Sequence, residues 1–560
     1  MALKFGLHIS GQLRAWQQSC VKNLEASGLA RLSCIIRSRD EPSGDSEAQG
    51  NPYVEFVRGL DLPSQRNLPA SVLLPKQPHH DSRLEPPVSF NADSTAEISA
   101  AGLDFILSFC TKNLAFPLTT VSKYGVWYFV FSDISNFDSP APCFWEIYYD
   151  HDVTGAALLK LVDNFSAGIP LRTGYFPTNH TSFARSVETF FDSLLDWPTF
   201  VCREITQGAH GRGNAPPTPD APEHYGFPTV SQVRSLKKSL AASGKALQRQ
   251  NRFYYIDWNI GRLMGDASSR VTRDTLADVS ILCRYKKGQY VADPCLFVKD
   301  ERPFVFCELY LYGANKGVIS AFEINNGRGS QLEVVIEEPF HLSYPQVFEY
   351  AGSIYCMPES AHARQVNLYE ATNFPFAWKR VHTLLDNVAA VDSTLLRFEN
   401  KWWLFFTDGE ARRFNTHLHI WQASDLLGDW KPHIRNPVKI DVRSARPAGQ
   451  FFWHKNCLYR PAQDCSRTYG GQLRINKIVK LSESEFEESI VTTIAPPVGG
   501  YCKGIHTLSS VGDYSVVDVK RYAFKPSGIV EVLKQTAKDT ALKLGVPRDT
   551  IQLLKKRIGQ

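Results

Sequence analysis

The chain has 560 residues, 43% of them apolar and 21% charged, a globular balance that excludes a collagenous, coiled-coil or wholly disordered protein. That length leads us to expect roughly two to four domains, and a formal net charge of +5 without a long basic run argues against a nucleic-acid footprint. No stretch approaches the roughly 18 consecutive apolar residues of a membrane span, and the first residues lack the pattern of a secretion signal, so a cytoplasmic protein without a transmembrane segment is expected.

Taken in chain order, KFGLHI and LSCIIRS read as short buried strands around a helical segment. DFILSF and YGVWYFVFSD continue the alternation, so residues 1–176 are expected to form a Rossmann-like α/β domain. Gly6-Leu7-His8-Ile9-Ser10-Gly11 ends the first strand on a turn but lacks a full GxGxxG, a weak basis for nucleotide binding. Residues 40–95, rich in Pro, Ser and Asp, read as a long excursion. Residues 181–197 have helical spacing, 207–228 are rich in breakers, and TVSQVRSLKKSLAASGKAL is a helix behind a Thr or Ser cap. Together 177–251 read as a helical and Pro/Gly-rich linker. Asn179-His180-Thr181 matches a glycosylation pattern, which without a secretion signal is a chance match. The twelve cysteines form no CxxC pair and read as small buried apolar residues, with neither a disulfide framework nor a metal site expected.

Beyond residue 250 the aromatic content rises and the sequence repeats. ADPCLFVKDERPFVFCELYLY, SYPQVFEYAGSIYCMPES, VDSTLLRFENKWWLFFTD and SARPAGQFFWHKNCLYRPAQD share a polar motif, a β-run, a turn and a second β-run. GIHTLSSVGDYSVVDVK follows the plan loosely, and segments such as LEVVIEE and WKRVHTLL supply outer strands. Five such repeats of four strands make a five-bladed β-propeller over about 252–523, with FYYIDWNIGRL able to close the ring. A β-sandwich is the alternative, although it would not need a polar motif at the same place in each repeat. Residues 524–560 hold two amphipathic stretches and read as a helical tail.

The repeats place acids where innermost strands are expected to face the axis: Asp293, Glu359, Asp392 and Asp464. Carboxylates converging at a propeller mouth suit glycosyl chemistry, one as acid and another as base or nucleophile. Asp293 is assigned as base or nucleophile, and Glu359, behind Met357-Pro358 in a less polar setting, as acid. Asp392 would hold a substrate hydroxyl or tune the acid. Tyr344, Arg446, Arg460, Asp464 and Tyr469 would add stacking and hydrogen bonds to hydroxyl or phosphate groups. His506 reads as a structural histidine. The same acids could instead be architectural, tying blade turns to backbone N–H groups. No cofactor is expected.

Two resemblances extend this reading. YGVWYFVFSDISNFDSPAPCFWEIYYDHDVTGAALLKLVDNFSAGIPL (124–171) resembles the formyltransferase catalytic domain that uses formyl-tetrahydrofolate. Where that family carries Asn, His and Asp, this chain has Tyr128, Val130 and Ser166. The resemblance therefore implies a formyltransferase-like fold without formyl transfer, because valine neither accepts nor donates a proton. Asp133, Asp150, His151, Asp152 and Asp163 lie close by in sequence, as solvated loop residues or as groups with another role.

WNIG (258–261), ADPCLF, HLSYPQVFEYAGSIYCMPES (341–360), VDSTLL (391–396) and RPAQDCSRTYGGQLRI (460–475) look like the propeller domain of plant glucosamine inositolphosphorylceramide transferases. That domain is similar to five-bladed glycosidases of the arabinanase and invertase type. In the plant enzymes the recognised transferase domain follows the propeller, and residues 524–560 do not resemble it. The glycosidase order Asp, Asp, Glu also differs from Asp293, Glu359, Asp392 here. The resemblance implies a glycosyl hydrolase or glycosyltransferase type of protein in polysaccharide or glycoconjugate metabolism, with a carbohydrate or glycoconjugate substrate. The alternatives are a non-catalytic glycan-binding or scaffold protein, and an acyl or formyl transferase acting on an amino sugar.

Overall fold

The structure, a computed structural model, describes residues 2–38, 50–68, 88–91, 95–110, 116–134, 137–161, 168–209, 223–264, 276, 279–410, 413–530 and 536. Most of the excursion expected over 40–95, most of the breaker-rich 207–228 stretch, Asp163, Ser166 and most of the tail after 530 lie outside these residues.

A seven-stranded sheet organises the N-terminal half. Leu3–Ile9 pairs in parallel with Ala30–Arg37 on one side and Phe105–Ser108 on the other, and Val88–Asn91 and Val126–Val130 extend the parallel set. Val153–Lys160 is antiparallel to both its neighbours, Val126–Val130 and Ile169–Pro177. Numbered along the chain, the strands lie in the order 3-2-1-4-5-6-7. The regular α/β alternation expected for this half is corrected to a mixed sheet with few helices. Ala15–Ala26 is a full crossover helix, whereas Pro52–Arg58, Thr95–Ala100 and Phe144–Tyr148 span one or two turns. These segments are too short to carry the apolar stripe that would stabilise a longer helix.

The missing cover comes from downstream. Ser182 accepts a hydrogen bond from Arg185 N and opens Phe183–Leu194, which is followed by Trp197–Thr206. Both helices pack into the sheet's core, bringing Phe190, Phe191 and Trp197 against Trp16, Phe129 and Phe176. A Thr229/Gln232 capping box then starts the long helix Val230–Phe253, which buries Val233 and Leu236 in the same core and leads into the second half.

That second half is a five-bladed propeller. Blade 1 comprises Gln289–Lys299, Arg302–Leu311, Lys316–Asn325 and Glu333–Ile336; blade 2 comprises Ser343–Tyr350, Ser353–Ser360, Gln365–Asn373 and Ala377–Asp386. Blade 3 runs through Ala390–Phe398, Lys401–Asp408 and His417–Ala423 to short outer strands, and blade 4 through Phe452–His454, Cys457–Asp464, Gln472–Leu481 and Phe486–Ile494. Blade 5 joins the two ends of the domain. Tyr254–Met264 pairs antiparallel with Tyr514–Phe524 along its whole length, with Leu508–Val511 inside it and Ser280–Ile281 outside. This closure removes the two free edges an open ring would expose. Among the described residues no helix is long and apolar enough to cross a membrane.

The last sheet strand docks on blades 3 and 4. Val442 N donates to Tyr175 O at 3.0 Å, Arg443 lies 4.0 Å over the Tyr175 ring, and Ile440 joins the N-terminal core.

Candidate active site at the propeller axis

The innermost strands of blades 1 to 3 carry an irregularity at one equivalent place. Register shifts fall between Ala292 and Cys295, Ser343 and Gln346, and Val391 and Thr394, inserting Asp293-Pro294, Tyr344-Pro345 and Asp392-Ser393. Asp293, Tyr344 and Asp392 adopt left-handed φ values of 53°, 42° and 52°. This conformation is costly for residues with a side chain, and such strain concentrates at functional sites. Proline suits the second position because a bulged residue has no ladder bond to donate. In blades 4 and 5, Arg446-Pro447 and His506-Thr507 stand ahead of the inner strands Phe452–His454 and Leu508–Val511. The repeat therefore presents Asp293, Tyr344, Asp392, Arg446 and His506 to the axis.

Contacts across the ring show that these side chains meet. Asp293 accepts from Tyr344 N at 3.3 Å and Thr507 Oγ1 at 3.1 Å, and His506 Nε2 stands 3.2 Å from its Oδ1. Arg446 donates to both oxygens of Asp392, from Nε at 2.5 Å and Nη2 at 3.3 Å, and Gln463 Nε2 adds a third donor at 2.6 Å. Tyr469 packs 4.9 Å from the Arg446 guanidinium and 5.2 Å from the His506 ring. Trp258 of the closing strand stacks on His506 at 4.1 Å.

A second tier lies on the adjoining strands, and here the sequence expectation needs correction. Glu359 and Asp464 are not on innermost strands; they end the second strands of blades 2 and 4. An antiparallel return brings the end of strand two beside the start of strand one, so an acid there neighbours the ring without belonging to it. Glu359 is registered with Ser343, and its Oε2 accepts from Asp392 N at 2.9 Å. Asp464 is bound to Arg474 at 2.7 and 2.9 Å and to Ser466, while its neighbour Gln463 reaches the ring. Arg460, 1% exposed, is held by Glu488 at 2.6 and 2.8 Å and by the Ser444 and Ala445 carbonyls, an architectural position rather than a substrate contact. Glu308, registered with Ala292, and Asp518 are the second-tier acids the sequence reading missed. Their offset from the repeat motif was the available signal.

The electrostatics follow from burial. Burial pushes Asp293 up to about 6, with His506 opposing and Asp392 and Asp518 reinforcing the shift. Glu308 and Glu359 are driven well above the carboxylate range by burial and by neighbouring acids. Burial disfavours the His506 imidazolium, but Asp518 and Asp293 outweigh it and hold its pKa above the usual value. Among the described residues, Asp293, His506 and Asp518 place potential ligand atoms within 4.8 Å of one another, the spacing a cation would need. Both imidazole nitrogens, however, already lie within ion-pair distance of carboxylate oxygens, at 3.2 and 2.6 Å.

Inward from the ring, the axis narrows to a cavity of about 10 Å³ lined by Cys295, Gln346, Thr394 and Ser509, room for about one water. At the mouth, the partly exposed rings of Tyr469 and Phe414 flank Arg446. The N-terminal sheet domain borders the same mouth: Arg467, two residues from Tyr469, pairs with Asp150 at 2.8 Å and Asp152 at 2.7 Å. Asp133 is buried and accepts from Tyr175 OH at 3.4 Å. Tyr128 and Val130 lie on Val126–Val130, and a Cβ on Gly168 would come within 2.7 Å of the Tyr128 hydroxyl.

Residues 267–500 match the family model described as "Glucosamine inositolphosphorylceramide transferase 1, N-terminal". The chain is 40% identical over 207 residues to glucosamine inositolphosphorylceramide transferase 1 of Arabidopsis thaliana, a match covering 36% of this chain and 27% of that protein. It is 38% identical over 207 residues to the Oryza sativa subsp. japonica protein of the same name, covering 36% and 28%. The match thus spans little more than a quarter of the curated relatives' length. Among solved structures, a family 117 glycoside hydrolase, Zg3597, from Zobellia galactanivorans aligns with a TM-score of 0.31 at 12% identity, over 48% of this chain and 90% of that one. The α-L-arabinanase of Cellvibrio cellulosa aligns with a TM-score of 0.30 at 13% identity, over 38% and 84%.

Proposed function

We propose that the protein is carbohydrate-active and engages a glycosyl group at the propeller axis. The observation that carries this reading is the ring itself, in which a carboxyl poised at about 6, Asp293, stands with the Asp392/Arg446 ion pair beside a mouth bearing Tyr469 and Phe414. A carboxyl that exchanges its proton near neutrality suits general acid–base work, and aromatic faces beside a guanidinium suit sugar rings and their hydroxyl or phosphate groups. Asp293 then serves as base or nucleophile, and Glu359, whose acidity burial weakens, as the proton donor. Asp392 fixes Arg446 for substrate contact. The plant relatives' name supports a glycosyl or glycoconjugate substrate.

One observation favours a second reading, a glycan-binding propeller without turnover. Asp293 and Asp392 are each engaged by several donors, as acids that tie blades together would be. The N-terminal unit is read as a formyltransferase-like scaffold without formyl transfer, on the resemblance of 124–171 and on Tyr128 and Val130 where that family carries Asn and His.

The test is to incubate the protein with an oligosaccharide and glycoconjugate panel, scoring binding and product separately in wild type and Asp293→Asn. Turnover lost by several orders of magnitude with binding kept supports catalysis. Binding without turnover in the wild type selects the second reading, and neither binding nor turnover defeats both.

A further inference from the structure

The contact between the sheet domain and blades 3 and 4 leaves a cavity of about 190 Å³, many times the space a water needs. Its wall carries Arg172 from the strand Ile169–Pro177, Arg435 and Lys439 from the propeller, and the acids Glu204, Asp441 and Glu488. Each acid is already engaged. Glu488 takes Arg460 at 2.6 Å and Lys439 at 2.8 Å, Asp441 takes Arg443 at 2.9 Å, and Glu204 takes Arg172.

Arg435 is left over: among the described residues no carboxylate pairs with it. Its Nε and that of Arg172 are both buried without a hydrogen-bond partner. Arg203, outside the cavity lining, stands near with Asp196 and Glu204 as its counter-charges. Burial, with the charges of Arg435 and Arg203, holds Arg172 below its ordinary value despite Glu204. Arg172 and Arg435 thus share Glu204 while Arg460 and Lys439 share Glu488, a local excess of two positive charges between two domains. Buried charge without a counterion is strongly unfavourable. A phosphoryl dianion would neutralise this excess, which a monocarboxylate would only halve, and the guanidinium fork matches phosphate oxygens.

We propose that this interdomain cavity is a binding site for a small phosphoryl-bearing solute, held by Arg435 and Arg172 and bridging the sheet domain to the propeller. The site is separate from the axial ring and does not depend on the chemistry proposed there.

The full chain is titrated with inorganic phosphate, glycerol 3-phosphate and acetate at constant ionic strength, by calorimetry and thermal unfolding. Saturable binding of one or both phosphoryl probes is expected, with a rise in Tm that acetate does not reproduce; stronger binding of glycerol 3-phosphate identifies an ester rather than free phosphate as the fitting ligand. Arg435→Gln should weaken binding at least tenfold and, without phosphate, melt no lower than wild type, because it removes an uncompensated charge. Arg435→Lys should retain part of the affinity, and Asp293→Asn all of it. Phosphate affinity unchanged in Arg435→Gln, loss of binding in Asp293→Asn instead, or acetate as effective as phosphate would each overturn the proposal.

Discussion

Arg446 and Asp392, from adjacent blades, are joined through two nitrogens and two oxygens, with side chains only 10% and 3% exposed. The pair spans the ring and fixes the guanidinium beneath Tyr469. Removing one partner leaves the other charged and buried, so Arg446→Met should cost about 3–5 kcal/mol. The double replacement Asp392→Asn with Arg446→Met should cost much less than the two single changes added together. Urea unfolding of the four proteins measures this coupling, and strict additivity would show that the pair does not act as a unit.

Asp293 predicts a pH dependence of definite sign. Its pKa is raised to about 6 in the folded protein against an unfolded value of about 3.9. The folded state therefore binds this proton more tightly, and the resulting stability is full below about pH 4 and lost as pH rises through 6. Asp293→Asn is neutral throughout, so wild-type stability should fall relative to the variant by on the order of 2 kcal/mol between pH 4 and 7. Parallel unfolding curves at each pH provide the check.

Glu488 has the opposite sign. Burial works against its charge, but Arg460 and Lys439 outweigh it and hold the carboxyl down at about 2. That stability is present above about pH 4.3, the unfolded value, and is lost as pH falls toward 2. Glu488→Gln should cost about 3–5 kcal/mol at neutral pH, because Arg460 loses its carboxylate in a site only 1% exposed. The difference from wild type should narrow below pH 4.

Ring closure is tested by where the chain is cut. Tyr254–Met264 carries Trp258, Ile260 and Leu263 into the core and is the partner of Tyr514–Phe524. A fragment beginning at 252 should unfold cooperatively, whereas one beginning at 265 should melt at a lower temperature or aggregate through the exposed edge. Equal melting temperatures would mean that the ring does not need this strand.

Alternation, turn residues and a recurring polar motif were enough to read five blades and a closing strand from the sequence, because each blade is a local pattern repeated. The tertiary register decided which side chains meet. Glu359 and Asp464 look equivalent to Asp293 along the chain, but the antiparallel return puts them one strand out, while two-residue bulges set Asp293, Tyr344 and Asp392 at the axis, where Arg446 and His506 meet them. His506 reads as a lone histidine until blade closure sets it between Asp293 and Asp518. In the N-terminal half Leu3–Ile9, Ala30–Arg37, Phe105–Ser108 and Val126–Val130 were legible from apolar runs, whereas Val88–Asn91, Val153–Lys160 and Ile169–Pro177 were not. The stripe of Phe183, Val187, Phe190 and Leu194 shows a helix with a buried face but not what buries it, so a segment with the look of a linker proved part of the core. Periodicity is a property of neighbours in sequence, whereas Arg172 and Arg435 face one cavity only because folding brings two distant segments together.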